Sequence, residues 1–118
     1  VIEDVNPTAQ LVINEIDADT QGADALEFVE LYDGGAGNTS LDGYILVFFN
    51  GSNNQSYATY DLTGFTTNAN GYFVIGNADV ANVSITFSGN GLQNGADAVA
   101  LYKTEAANFP NGTAVTTD

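Results

Sequence analysis

The chain contains no cysteine, histidine, methionine, tryptophan or arginine, and its single basic residue, Lys103, stands against fifteen carboxylates in 118 residues. Each absence removes a class of chemistry. Without imidazole or thiol, the commonest general bases and the most reactive nucleophile are missing. Without arginine there is no planar fork to clamp a phosphate. A formal net charge of −14 repels nucleic acid and anionic lipid, whose protein partners rely on Lys and Arg. Neither direct nucleic-acid binding nor membrane insertion is expected. No apolar run approaches the ~20 residues of a helical membrane span, so a soluble chain is expected. The lack of cysteine means a fold without disulfides, and leaves the compartment open.

Hydrophobic residues make up 44% of the chain, enough for a true core rather than an acidic disordered tail. A domain of this length buries roughly two thirds of its unfolded surface. Residues 1–8 read as an N-terminal lead-in or linker and 9–118 as one domain. The Asn-, Gly-, Thr- and Ser-rich composition with almost no lysine points to an extracellular or cell-surface bacterial protein. In salt, screening relieves the self-repulsion of such an acidic surface.

The local pattern is β throughout. Asn-Gly occurs five times, at Asn50, Asn70, Asn90, Asn94 and Asn111. This dipeptide is a strong hairpin signal, because both residues accept the positive φ of a type I′ turn. Between these points lie short β-branched and aromatic runs at 10–16, 25–32, 44–49, 56–62, 72–75, 83–87 and 98–103, and no sustained helical stripe. Seven short strands at this spacing predict an all-β sandwich or barrel. The run 44–49 is apolar on both faces, which predicts a central strand covered on both sides or one whose outer face meets a partner. Run 25–32 carries Glu27 and Glu30 on opposite faces, so one glutamate is expected near the core edge with a donor or cation beside it. The segment 109–116 reads as a turn feeding a further strand.

The order of Leu11–Ile16 (LVINEI), Leu26–Asp33 (LEFVELYD), Leu41–Leu46 (LDGYIL), Gly71–Asn77 (GYFVIGN) and Asn94–Tyr102 (NGADAVALY) resembles the bacterial lamin-tail domain. The resemblance spans residues 11–102 and rests on five landmarks in sequence. It implies an immunoglobulin-like antiparallel β-sandwich. It further implies a non-catalytic accessory, scaffolding or adhesion-type module of a larger secreted bacterial protein, extracellular nucleases being among such parents. Members carry another hydrophobic strand where this chain ends, so its last strand is expected to be cut short. An open sheet edge left by that truncation predicts a homodimer. The other partners expected are neighbouring domains of the parent protein or a surface polymer.

Three constellations could carry chemistry. Asp17, Asp19 and Asp24 share one loop with Gly22, and Ca²⁺ takes six to eight oxygens of this kind. The Asp-x-Asp start matches an EF-hand loop, but Gln21 at the fifth position and the lack of flanking helices do not, leaving a solvated hairpin tip as the plain alternative. No cofactor is required, and Ca²⁺ is the one candidate. Glu15 and Glu30 occupy matching places in their strands and would approach if the strands pair; a retaining glycosidase needs carboxylates roughly 5–5.5 Å apart. A cleft is hard to build on so small a sandwich, so capping or solvent-facing roles are expected for both. Tyr57 and Tyr60, in a polar setting, are the natural sugar-stacking candidates for an alternative reading as a carbohydrate-binding module. The glycine-rich stretch 33–42 lacks the lysine and helix of a phosphate loop and reads as a flexible connection. The Asn-x-Ser/Thr sites at Asn38, Asn54, Asn82 and Asn111 read as chance in an Asn/Thr-rich chain.

If calcium occupies the 16–24 loop, chelation lowers the melting temperature, since a cation bound only to the native state stabilises it by mass action. Melts titrated from EDTA to millimolar Ca²⁺ check this against Mg²⁺ and NaCl controls. An unchanged melt, or a rise that NaCl reproduces, contradicts it.

Overall fold

The computed structural model describes residues 11–17, 26–87, 97–105 and 108–114. Seven strands follow in order: β1 (Val12–Asp17), β2 (Phe28–Tyr32), β3 (Tyr44–Asn50), β4 (Gln55–Asp61), β5 (Tyr72–Gly76), β6 (Val83–Thr86) and β7 (Asp97–Lys103). They form one sheet in the order β1-β2-β5-β6 and a second in the order β4-β3-β7. Every pairing is antiparallel except β5 with β6. Among the described residues there is no α-helix. This is the expected immunoglobulin-like sandwich.

Alternation decides what each strand buries. In β2, Val29 and Leu31 are fully buried, while Phe28, Glu30 and Tyr32 turn outward. Val29, Leu31, Phe73 and Ile75 from one sheet meet Leu46 and Phe48 from the other, closed at the ends by Leu41 and Leu62. β3 is buried on both faces, as its apolar run predicted. Its second face, Ile45, Val47 and Phe49, packs with Phe109 from the chain's own C-terminal segment and with Ala100 and Tyr102 of β7. The Phe109 ring stacks on Tyr102 at 4.5 Å, and burying a phenylalanine contributes about 2–3 kcal/mol.

That segment also pairs with β4. Ser56 N donates to Thr113 O at 2.7 Å, Gly112 N donates to Ser56 O at 2.7 Å, and Gln55 bridges Ala114. At Gln55–Ser56 the chain therefore covers its own sheet edge.

The Asn-Gly turns differ from the type I′ expectation. In the three described cases the asparagine is never at positive φ, and only Gly71 and Gly112 are. The β3–β4 connection runs over 51–54 instead of two residues. Asn50 Oδ1 accepts from Ser52 N and Oγ, both at 2.8 Å, and Asn54 takes the left-handed position at φ 58. An asparagine side chain that closes its own turn favours this wider loop.

The stretch after β2 is not a loose glycine connection. Asp33 is buried, and its carboxylate accepts from Gly35 N (2.9 Å), Gly37 N (3.1 Å), Thr39 Oγ1 (2.6 Å) and Thr67 Oγ1 (2.8 Å). Its backbone N–H donates to Gly71 O at 2.9 Å. Gly71 sits at φ +95, and a Cβ there would collide with Asp33 Oδ1, so both conformation and space demand glycine. Burial pushes the Asp33 carboxyl up, but hydrogen bonds from Thr39, Thr67, Gly35 and Gly37 outweigh it and hold the pKa below the ordinary 3.8.

A carboxyl whose folded pKa is depressed adds stability that is complete above its unfolded value and fades as pH falls through the lower folded one. Asp33→Asn removes charge-assisted acceptors and is expected to cost about 2 kcal/mol or more at neutral pH. Melting both proteins from about pH 7 to about pH 2 checks the linkage: the gap should narrow below the ordinary carboxylate range. A gap that stays constant over the whole range contradicts it.

Candidate functional site: an open groove on the four-stranded sheet

The two sheets differ in what covers them. The outer face of β4-β3-β7 carries Phe109, whereas the outer face of β1-β2-β5-β6 holds an open groove of about 800 Å³. Its floor comes from the outward residues of two strands far apart in sequence. β2 and β5 pair with Phe28 opposite Gly76 and Glu30 opposite Val74, which brings Phe28, Glu30, Tyr72 and Val74 onto one surface. Gly76 is required beside Phe28, since a Cβ there would lie 2.8 Å from Phe28 Cβ and 2.5 Å from Glu27 O. Tyr72 is steadied by stacking on Tyr32 at 4.7 Å.

One wall is the loop before β5. Asp33 grips Thr67 directly, and Asn38 N donates to Asn68 O at 2.9 Å. Asn68 Oδ1 in turn accepts from Asn70 N (3.0 Å) and Tyr72 N (2.9 Å). Thr66, Asn68 and Asn70 thereby line the groove.

The opposite wall is the loop 77–82, which lets β6 return parallel to β5. Parallel neighbours ordinarily need a crossover of a dozen or more residues. Six suffice here because β6 retreats only far enough to set Val83 beside Val74. Buried Asn77 makes the turn: its N donates to Glu27 O (2.9 Å), its Oδ1 accepts from Glu27 N (2.7 Å), and its Nδ2 donates to Phe87 O (3.1 Å). Val80, Ala81 and Asn82 then face the groove.

The sequence-derived candidates fall in different places. Asp17 ends β1 and lines the groove, opposite Phe28 in register. Asp19 and Asp24 lie outside the described residues. Among the described residues no group of three or more His, Cys, Asp or Glu side chains is placed to hold a metal. Glu15 and Glu30 are register partners across β1–β2, so the strands do pair as the carboxylate reading required. Like charges opposite one another repel, and Asn14 Nδ2 donates to Glu30 Oε1 at 2.9 Å. The pair stands on an open sheet face. Glu27, its neighbour on the opposite face, is the glutamate that is fully buried.

Tyr57 and Tyr60 are half-buried rather than flat on the surface. Their rings tilt onto Phe48 at 5.9 and 5.2 Å, and Tyr60 also approaches Phe87 at 6.2 Å. Burial pushes the Tyr60 phenol above its ordinary value of 10.0. Sequence reasoning missed the groove aromatics Phe28 and Tyr72. The available signal was the run 72–76, which is apolar on both faces in the same way as 44–49.

Electrostatically the groove is one-signed. Asp17 and Glu30 line it, no cation does, and Lys103 lies on the other sheet, 5.5 Å above the Tyr44 ring. No curated protein and no solved structure matches the chain. The family model of the lamin tail domain matches residues 4–117, and the two-sheet architecture agrees with it. The chain thus belongs to the lamin tail domain family, a non-catalytic family of immunoglobulin-like fold.

Proposed function

We propose that this domain is an accessory module of a larger secreted bacterial protein, and that it positions or tethers its neighbours by docking through the outer face of β1-β2-β5-β6. One observation carries this reading: among the described residues, Phe109 covers the outer face of one sheet, and the other carries a walled groove with Phe28 and Val74 in its floor. An open recess with an apolar floor and convergent polar groups is the usual form of a binding site. The acidic, cysteine-free composition supports a place outside the cell, and the charge turns the module away from nucleic acid even where its parent is a nuclease. Of the three calcium candidates, Asp17 lines this groove.

The test is an NMR titration of the isotope-labelled domain with the neighbouring domains of its parent and with purified envelope polysaccharide. Shifts are expected to cluster on Phe28, Glu30, Tyr72, Val74 and Val83, with no turnover of phosphodiester or glycan substrates. Shifts confined to β3, β4 and β7 contradict the reading.

A further inference from the structure

We propose that the groove on β1-β2-β5-β6 takes an extended polypeptide segment of a partner through an arginine side chain laid across Phe28. The inference rests on the docking-face reading and adds the chemistry of what docks.

The charge comes first. Asp17 and Glu30 both line the groove, Glu15 stands opposite Glu30, and no cation is among the lining residues. The chain's single lysine is on the other sheet, in a protein of net charge −14. The complement must therefore arrive with the ligand.

Shape then narrows the choice of cation. Asp17 is the register partner of Phe28, and Glu30 lies two positions along the same face of β2, roughly 7 Å from Phe28 at the rise of a strand. A cation above the Phe28 ring is flanked by both carboxylates. A planar guanidinium suits this position better than an ammonium, because it is weakly hydrated, stacks on aromatic faces and presents five donors to neighbouring acceptors. Its aliphatic stem would run along Val74 and Val83, the apolar strip of the floor.

The walls fit a main chain. Asn70 and Asn82 carry both donors and acceptors, and Asn68, whose Oδ1 already accepts from Asn70 N and Tyr72 N, adds an amide donor, the pairing an extended backbone needs once its water is displaced. A groove of about 800 Å³ is large enough for a few side chains and too small for a folded domain. A neutral glycan would leave the two carboxylates without compensation, and a phosphorylated or nucleic-acid ligand would be repelled by them.

The experiment uses the whole chain, with EDTA present so that divalent ions do not contribute. A fluorescein-labelled peptide Gly-Leu-Arg-Leu-Arg-Leu-Gly is titrated by anisotropy in about 0.15 M NaCl, where exposed charges are screened beyond ~8 Å. A second peptide carries citrulline, the uncharged isostere, in place of each arginine. The arginine peptide is expected to bind about tenfold or more tightly than the citrulline peptide, the factor set by one charge-assisted hydrogen bond. Asp17→Asn and Glu30→Gln should each weaken it by a similar factor. Glu105→Gln, which removes the same charge beyond β7, should leave it within about twofold, since only bulk charge changes.

Equal affinity of the two peptides, with NMR shifts at Phe28 and Val74, overturns the arginine assignment while the docking face stands. Binding of the arginine peptide away from the groove overturns both. Equal weakening by all three variants marks diffuse charge attraction and overturns the assignment. So does a neutral oligosaccharide that titrates the groove residues when neither peptide does.

Discussion

Much of this small domain hangs on one buried carboxylate. Asp33 leaves β2 at the point where the chain must pass from the four-stranded sheet toward β3, and its two oxygens gather four donors from both sides of the passage. Two of those donors are the hydroxyls of Thr39 and Thr67, which lie on separate loops and are joined again by their backbones. The cost of burying a charge is offset because the charge is fully hydrogen-bonded. Removing it would leave buried donors with no acceptor, so the loop after β2 and the loop before β5 depend on it more than on any apolar contact. The same contacts run on through Asn68 to Tyr72, and so from the loop to the groove.

The second organising fact is an asymmetry between faces. A sandwich needs only its two inner faces buried, and most outward residues can remain polar. Here β3 is apolar on both faces, and the chain resolves the excess by laying Phe109 across Ile45, Val47 and Phe49. The other sheet has outward Phe28, Tyr32, Tyr72 and Val74 and receives no such cover among the described residues. Two loops wall that surface instead, each held by a single buried polar side chain, Asp33 for 66–70 and Asn77 for 77–82. A rigid scaffold carrying loop walls around a recess is the arrangement in which binding usually resides.

Strand positions were legible because period-2 alternation and aromatic runs are local properties; 72–75 became Tyr72–Gly76 and 44–49 became Tyr44–Asn50 with little change. The burial of β3 on two sides was legible for the same reason, and so was a glutamate of 25–32 entering the core. The groove was not, because it requires β2 beside β5 and a parallel β6, and no pattern in either run announces a neighbour 40 or more residues away. The turns misled in a different way. Asn-Gly allows type I′ geometry without requiring it, and Asn50 used its side chain to close a longer loop. Glycines at 34, 35 and 37 looked like slack, yet their positive φ angles let the chain wrap an acceptor whose identity as a buried anchor only the fold reveals. Tyr57 and Tyr60 have polar neighbours in sequence, yet the pairing of β4 with β3 turns both rings onto Phe48.

The most direct test of whether one carboxylate, rather than the apolar core, holds the groove wall is native-state amide hydrogen exchange on the wild type and Asp33→Asn. Local openings are reported residue by residue in such data. Protection should fall at Gly37, Thr39 and Tyr72, whose amides donate within the Asp33–Asn68 network, and persist at Leu46 and Phe48 in β3. Loss spread evenly over both sheets, or no loss at Tyr72, would contradict that dependence.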